Sequence, residues 1–562
     1  MSRRLFAVAA VAAASLALPA AAFAHAALLK TFPAASAEVD TPPPEVRLIY
    51  DEAVEPRFAI VSVTDAGAHQ QVDGAVHRSP TNVDELDVPL RRVTEGWYLV
   101  FWRVISVDGH PVRGAFTFRV GPNPGPQPQF VIPSLSETAT TPGLLTFRWL
   151  TFLSIFAAIG IFVLRTVIAR PVGSHLRGLS IAFWIALAVA LVATPVYMVV
   201  ATAQFALRSV WSVGALVPLM RVSAFGRGYL DLELLLALFG VAAAVALWTD
   251  KPERGRRSVA ALLSLWGALL AAGAALLAPG ASGHAAQTAP RALAVTFDWL
   301  HLAAGSTWLG GLIGLLVLWR SLPRGQRVPG LSVAVPRFSN VAFVSVTALL
   351  GTGIGAAVLH LPTLATLWQT GYGKTIIVKA SLVLCAMLVA SVNLLRTTPA
   401  LKRRLDAAAL LRRAVSVEVV LVTSALFAAA VLSSLPPPPK ALASLGGVSA
   451  HTGPGAVTSV VQQSGYRLEF HVTPNKAAVS NDFAVKITYA GKPVQGASVI
   501  ATFTMLDMEM PAQAYRLEER SPGLYEHASP ALVMVGRWGL TFTIQAPAAR
   551  QFTVILVDRA NG

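Results

Sequence analysis

The chain has 562 residues, of which 54% are hydrophobic and 13% charged, and Lys plus Arg exceed Asp plus Glu by 16. This is too long for one ordinary domain, and so apolar a chain points to a membrane protein with soluble parts attached. The charge excludes nucleic acid as its cause: residues 25–140 hold nine Lys/Arg against fourteen Asp/Glu, residues 441–562 nine against eight, and residues 141–440 twenty-five against seven, so the excess sits in short loops between hydrophobic runs.

In chain order, Arg3 and Arg4, the apolar run Leu5 to Leu18 and Ala22-Phe23-Ala24 predict a signal peptide over 1–24. Cleavage leaves His25 as the mature start, where the free α-amine and the imidazole can both reach one metal ion. Residues 25–120 read as a small β-sandwich, with Val46–Tyr50, Ala59–Val63, Trp97–Val104 and Gly114–Val120 set between Pro, Gly, Asp and Asn clusters. A Pro/Gly linker over 121–142 follows.

Residues 143–435 then hold eight runs close to the ~20 residues that cross a bilayer, at 146–169, 179–203, 229–248, 258–279, 295–319, 338–360, 374–396 and 414–435. With the first module exported, the loops at 165–178, 249–257, 320–337 and 396–413 face the cytoplasm, and these carry most of the Arg and Lys. Eight crossings return the chain to the outside through a linker at 436–454. Residues 455–562 predict a second exported β-sandwich, with strands at Tyr466–Val472, Phe483–Tyr489, Ser498–Phe503, Leu540–Ile544 and Phe552–Val557 and turns at Gly491-Lys492-Pro493 and Ser521-Pro522-Gly523.

Asp108-Gly109-His110 near the end of the first module puts a carboxylate and an imidazole on one side of an extended segment. Joined by an N-terminal histidine, they make a nitrogen and oxygen set suited to Cu(II); the competing reading is an ordinary Asp-Gly hairpin turn with a surface histidine. His69 and His77 are supplementary ligands or plain loop residues. Residues 25–130 contain no methionine, so a Cu(I) site is not expected there. The only cysteine, Cys385, lies in a hydrophobic run, which rules out a Cys-x-x-Cys carrier. No Gly-x-x-x-x-Gly-Lys loop signals ATP.

In the membrane part Arg148, Asp231, Glu233, His284, Asp298, His301, His360, Lys374 and Lys379 fall near the outer helix ends, and ionisable groups at such depth are expensive and functional. Glu418 is expected within the first two turns of the last helix, reaching the inner interface. The sharpest group is Ser282-Gly283-His284 with Asp298-Trp299-Leu300-His301, followed by Trp308 and Gly310-Gly311 on a face that lets another helix approach. Cys385 is a Cu(I) waypoint or a packing thiol, and Met387 faces another side. In the last domain Met505, Met508 and Met510 are possible thioether ligands for Cu(I) or parts of a sandwich core, with His471 and His527 beside them as weaker candidates.

His25 with Pro33-Ala34, Trp102, Ser106-Val107-Asp108-Gly109-His110 and Gly114-x-Phe116 resemble the CopC family of periplasmic copper proteins. That resemblance implies a cupredoxin-like β-sandwich holding Cu(II) through the His25 amine and imidazole, Asp108 and His110. His284, Asp298, His301, Trp308, Phe338-Ser339, Thr352-Gly353 and Tyr372-Gly373-Lys374 resemble the CopD family, which makes His284 and His301 a membrane intake for copper. Met505 to Met510, Tyr515, Gly523-x-Tyr525 and Gly536-Arg537-Trp538 more loosely resemble YtkA-like domains. Together the three are similar to fused copper-uptake proteins of bacteria. They imply a non-enzymatic, multi-pass plasma-membrane importer with both β-domains outside the cytoplasm, whose partners are copper, the bilayer and a periplasmic copper carrier or cuproenzyme. The alternative is an anchored sequestration, resistance or delivery protein that moves no copper across. Two further readings are a copper oxygenase, where Asp108 would leave less room for oxygen, and haem held by helix histidines. Cu(II) must be reduced before it uses soft inner ligands, and no residue stands out as the electron donor.

Overall fold

The computed structural model describes residues 28–35, 37–50, 54–105, 111–125, 128, 141–287, 290–361, 363–397, 399, 407–435, 447–477, 479–506, 512–547 and 551–561. It is a multidomain membrane protein, with a β-domain before and another after eight helices long and apolar enough to cross a bilayer.

The first domain has eight strands: β1 (Leu28–Phe32), β2 (Glu38–Val39), β3 (Glu45–Tyr50), β4 (Ile60–Asp65), β5 (His77–Arg78), β6 (Glu85–Pro89), β7 (Gly96–Ile105) and β8 (Pro111–Val120). They form two four-stranded sheets, ordered β1-β3-β6-β5 and β2-β8-β7-β4. Strand β3 alternates as its sequence predicts: Val46, Leu48 and Tyr50 are buried and Glu45, Arg47 and Ile49 are less so. These inward residues meet Val100, Trp102 and Val104 of β7 and Phe116 and Phe118 of β8 in one core, burial that is the main favourable term in holding the two sheets together.

The helices are α1 (Pro142–Val163), α2 (Arg177–Phe205), α3 (Val213–Val222), α4 (Ala224–Thr249), α5 (Val259–Ser282), α6 (His284–Gln287), α7 (Arg291–Ser321), α8 (Arg327–His360), α9 (Thr366–Gln369), α10 (Gly371–Val392) and α11 (Ala407–Leu432). The short α3, α6 and α9 all lie in connections at one end of the bundle, where the hydropathy pattern predicts only loop. Helices α1 and α7 are central. A methyl added to Gly160 would run into the Ser306 carbonyl oxygen and the Gly310 Cα, and one on Gly310 would strike the Phe156 carbonyl oxygen. The two helices therefore touch backbone to backbone, which only small residues permit. Gly305 leaves room for Phe156, and Gly311 for Phe338 of α8.

The end of the bundle that carries residues 164–176 and 250–258 is organised by one carboxylate. Asp250, which caps α4, receives Arg165 Nη1 at 3.0 Å on Oδ2, and Arg170 Nε at 2.9 Å and Arg257 Nε at 3.4 Å on Oδ1. Arg170 also donates to the Lys251 and Arg254 carbonyl oxygens, and Arg257 donates to that of Thr166. Burial pushes the Asp250 carboxyl up, but the Arg170 hydrogen bond and the charges of Arg257, Arg170 and Arg165 outweigh it and hold the pKa below its usual value. The last long helix also differs from expectation: α11 begins at Ala407, so Glu418 lies three turns inside it, 3% exposed, and accepts a hydrogen bond from Asn393 Nδ2. The reason is local, because the added turns carry Arg412, whose guanidinium sits 4.7 Å over the Trp319 ring.

The last domain comprises β9 (Ala450–His451), β10 (Val457–Gln463), β11 (Tyr466–Thr473), β12 (Asn481–Tyr489), β13 (Lys492–Pro493), β14 (Ser498–Met505), β15 (Gln513–Ser521), β16 (Leu524–Ser529), β17 (Gly536–Gln545) and β18 (Phe552–Ala560). Strand β15 pairs with β14 through Gln513 to Leu517 and with β16 from Glu518 onward, so it passes from one layer to the other. The layers meet through Phe470 on Phe542 and Phe483 on Phe503, with ring centroids 4.7 and 4.5 Å apart. This is the predicted second sandwich, with β9, β10, β13, β15 and β16 added to the strands expected from sequence; β13 falls on the expected Gly491-Lys492-Pro493 turn.

Asp250→Ala leaves three guanidinium groups without their shared carboxylate and should cost about 3–5 kcal/mol, read as a fall in the thermal unfolding midpoint of the detergent-purified chain. Since the folded pKa is depressed, this stabilisation is complete above the unfolded value of about 3.9 and is lost as pH falls through the folded one, so the gap between wild type and Asp250→Asn should close in acid. Gly310→Ala should lower the midpoint as well, whereas Gly351→Ala, with open space around it, should not.

Candidate metal sites

In the first domain the β7–β8 hairpin closes with Ile105 opposite Pro111. His25, Asp108 and His110 lie outside the described residues. The strands that lead to them are described, and these converge. Leu28, the first residue of β1, is opposite Tyr50. Tyr50 meets Trp102 of the other sheet edge to face, with centroids 5.7 Å apart, and Trp102 is three residues before Ile105. Three residues span at most about 10 Å, so the start of β1 and the hairpin tip belong to the same end of the sandwich.

Gly114 makes that end compact, since a Cβ there would lie 2.6 Å from Trp102 Cζ2. Tyr50 Oη and Trp102 Nε1 are buried and find no hydrogen-bond partner among the described residues; burial pushes the Tyr50 phenol well above its usual value. Arg103 and Arg113 face each other across the hairpin. Burial first, and then the Arg113 charge, lower the Arg103 guanidinium to about 10.

The two loop histidines are elsewhere. His69 Nδ1 is 3.2 Å from Asp65 Oδ2, and Asp65 pairs with Tyr98, seven residues from Ile105 along β7, or roughly 23 Å. His77 is exposed opposite Asp87 on the β5–β6 edge, with Nδ1 3.3 Å from the Ala75 carbonyl oxygen.

In the membrane part α5, α7 and α8 meet at the end of the bundle away from Asp250, and Lys379 of α10 reaches them. A Cβ on Gly280 would be 2.6 Å from Asp298 Oδ2, and Trp299 Nε1 donates to the Gly273 carbonyl oxygen at 2.8 Å. These contacts hold α5 against α7, so His284, four residues after Gly280 and the first residue of α6, sits at the same end as Asp298 and His301. His301 Nδ1 is 3.0 Å from Thr352 Oγ1 and its Nε2 is 3.4 Å from Lys379 Nζ. Lys379 is among the ionisable residues expected near the helix ends, but spacing does not pair it with a histidine 78 positions away. Nor does spacing show how Arg148 is held, by Tyr197 Oη at 2.8 Å, Ser433 Oγ at 2.9 Å, Ser434 Oγ and the Ala430 carbonyl oxygen.

Cys385 is exposed on α10 and is not brought together with these groups. Met505 is 5% exposed and opposite Trp538 in the core of the last domain, while Met508 and Met510 lie outside the described residues. His471 and His527 face opposite ways: His471 is level with Ala484 and Glu526, and His527 with Phe483, the neighbour of Ala484. His527 stacks on Tyr515 at 4.8 Å. Among the described residues no three His, Cys, Asp or Glu side chains converge to hold a metal.

Three family models match in order: CopC domain over residues 28–121, copper resistance protein D over 332–432 and YtkA-like over 461–543. The chain is 24% identical over 537 residues to the copper transport protein CutJ of Bacillus subtilis, covering 93% of each. It is 35% identical over 99 residues to YobA of Escherichia coli K12, covering 17% of this chain and 80% of that one. Among solved structures, CopC from Methylosinus trichosporium OB3b aligns with 29% identity and a TM-score of 0.17, over 18% of this chain and 99% of that one.

Gly114→Ala should press on the Trp102 indole and cost the first domain about 1–3 kcal/mol, seen as a lower urea midpoint in the tryptophan fluorescence of the purified domain.

Proposed function

We propose, for a chain that belongs to the CopC–CopD copper proteins and carries a YtkA-like third domain, that it takes up copper across the bacterial plasma membrane. Copper handling is common ground for this family; import and its route are our reading. Cu(II) is captured at the exported end of the first domain by the amine and imidazole of His25, the Asp108 carboxylate and the His110 imidazole, a hard and borderline set that suits Cu(II). The observation that carries this reading is the Leu28–Tyr50–Trp102 contact, which brings the start of β1 and the β7–β8 tip to one end of the sandwich. Copper then passes to His284 and His301 at the outer end of the bundle, with the Asp250 end facing the cytoplasm, as its arginines favour.

The alternative is a membrane-anchored carrier that sequesters or delivers copper outside the cell; the scarcity of ionisable residues in the inner half of the bundle favours it, and the Glu418–Asn393 pair buried there counts against it. Copper-64 uptake by reconstituted vesicles separates the two: accumulation above empty vesicles is expected, and none above them leaves the anchored carrier.

His25→Ala or His110→Ala should each abolish the d–d absorption of bound Cu(II), whereas His69→Ala, about 23 Å down the strand, should leave it intact. One extra residue ahead of His25 should weaken binding, because the α-amine is then no longer at the ligand position. Titration of the purified mature domain with Cu(II), followed in the visible, checks all three.

A further inference from the structure

His301 has both ring nitrogens engaged, and the order of donors fixes how. Thr352 Oγ1 gives its own hydrogen to the Ala348 carbonyl oxygen at 2.6 Å, so towards His301 it accepts, and His301 carries its proton on Nδ1. The Nε2 lone pair is left facing Lys379 Nζ at 3.4 Å. Nε2 is thus the ring atom with a free lone pair for a metal, and an ammonium already stands in front of it.

The helices around this pair are open. α8 packs along α7, and α10 along α11, but among the described residues neither α7 nor α8 forms an extended interface with α10. The Lys379 side chain reaches across that gap by itself. Gly353 of α8 lies beside the ring, where an added Cβ would be in ordinary contact with His301 Cε1 at 3.5 Å. Asp298 is three residues before His301 on α7, which puts its carboxylate on the same side of that helix, about one turn away.

We propose that Lys379 is a resident cation in the copper seat of the membrane domain, whose ammonium occupies the His301 Nε2 lone pair until copper displaces it. The inference rests on the reading of His301 as a copper ligand. On displacement no bond to hydrogen is broken: the ammonium keeps its protons and swings on its four-carbon stem towards Asp298, and copper accepts the vacated lone pair. A cation must then outbid an ammonium for an imidazole nitrogen. Copper can, through coordination, whereas Na⁺ and K⁺, which bind imidazole poorly, cannot. The same group that weakens the site for copper makes it selective.

The test uses the full chain in lipid nanodiscs with His110→Ala to silence the exported site, and Cu(I) competed against a chromophoric chelator. Lys379→Gln, which removes the cation but keeps length and polarity, should tighten the His301-dependent Cu(I) affinity at least tenfold, and Lys379→Met should do likewise. Lys379→Arg, which keeps the charge, should not. Adding His301→Ala should abolish the gain. If His301-dependent binding exists but Lys379→Gln and Lys379→Met leave it unchanged or weaker, the resident-cation proposal fails and the membrane copper site stands. If no background shows His301-dependent Cu(I) binding, both fall.

Discussion

Two glycines, Gly160 and Gly310, let α1 and α7 meet with nothing between their backbones, and the membrane part is arranged around that crossing. Lipid offers no hydrophobic drive between helices, so close van der Waals contact must supply the attraction. The crossing also fixes how deep everything on these two helices sits. α7 carries Asp298 and His301 towards one end, α1 carries Arg148 towards that end, and the π-helical turn Leu164–Ile168 that continues α1 carries Arg165 at the other. A larger residue at the contact would separate the helices and move the polar groups at both ends together.

Those ends handle charge in different ways. At one, a single carboxylate gathers three guanidinium groups, and the loops are clamped by the carbonyl oxygens that complete the arginine bonding. At the other, Arg148 is satisfied by hydroxyls and a carbonyl oxygen, with the Tyr197 ring beneath it, and Lys379 is set against an imidazole. Cations held by neutral acceptors keep their field, and a field of that sign acts on any charged group that approaches this end as well as on the fold.

Much of this was legible in the chain. The eight long helices followed from run length and composition, and the strands β3, β7 and β8 from alternation, because both signals are local. The small residues of α7 were recognised as a contact face, but not the helix they meet, since Gly160 is 150 positions away and nothing in spacing pairs them. Asp250 was invisible in a count that treats the neighbouring arginines as topology markers, because gathering three of them is a matter of geometry. Glu418 lies three turns into α11 where the sequence predicts one or two, because the helix starts before the hydrophobic run: α11 begins with charged turns that hydropathy does not register. The metal ligands expected at His25, Asp108 and His110 came from a motif and a processed terminus, and the fold adds the convergence of the two strands that present them.

The last domain opens with β9 and closes with β18, and the two lie side by side in parallel, Ala450 opposite Leu556 and His451 opposite Val557. A domain whose first and last strands are neighbours can be joined to other chains, or removed from them, at a single point on its surface without threading one segment through another. Such a module is easily gained, lost or exchanged by gene fusion. The same adjacency is the geometry that circular permutation requires: a short peptide linking the two strands, with new ends opened in an exposed turn such as that between β15 and β16.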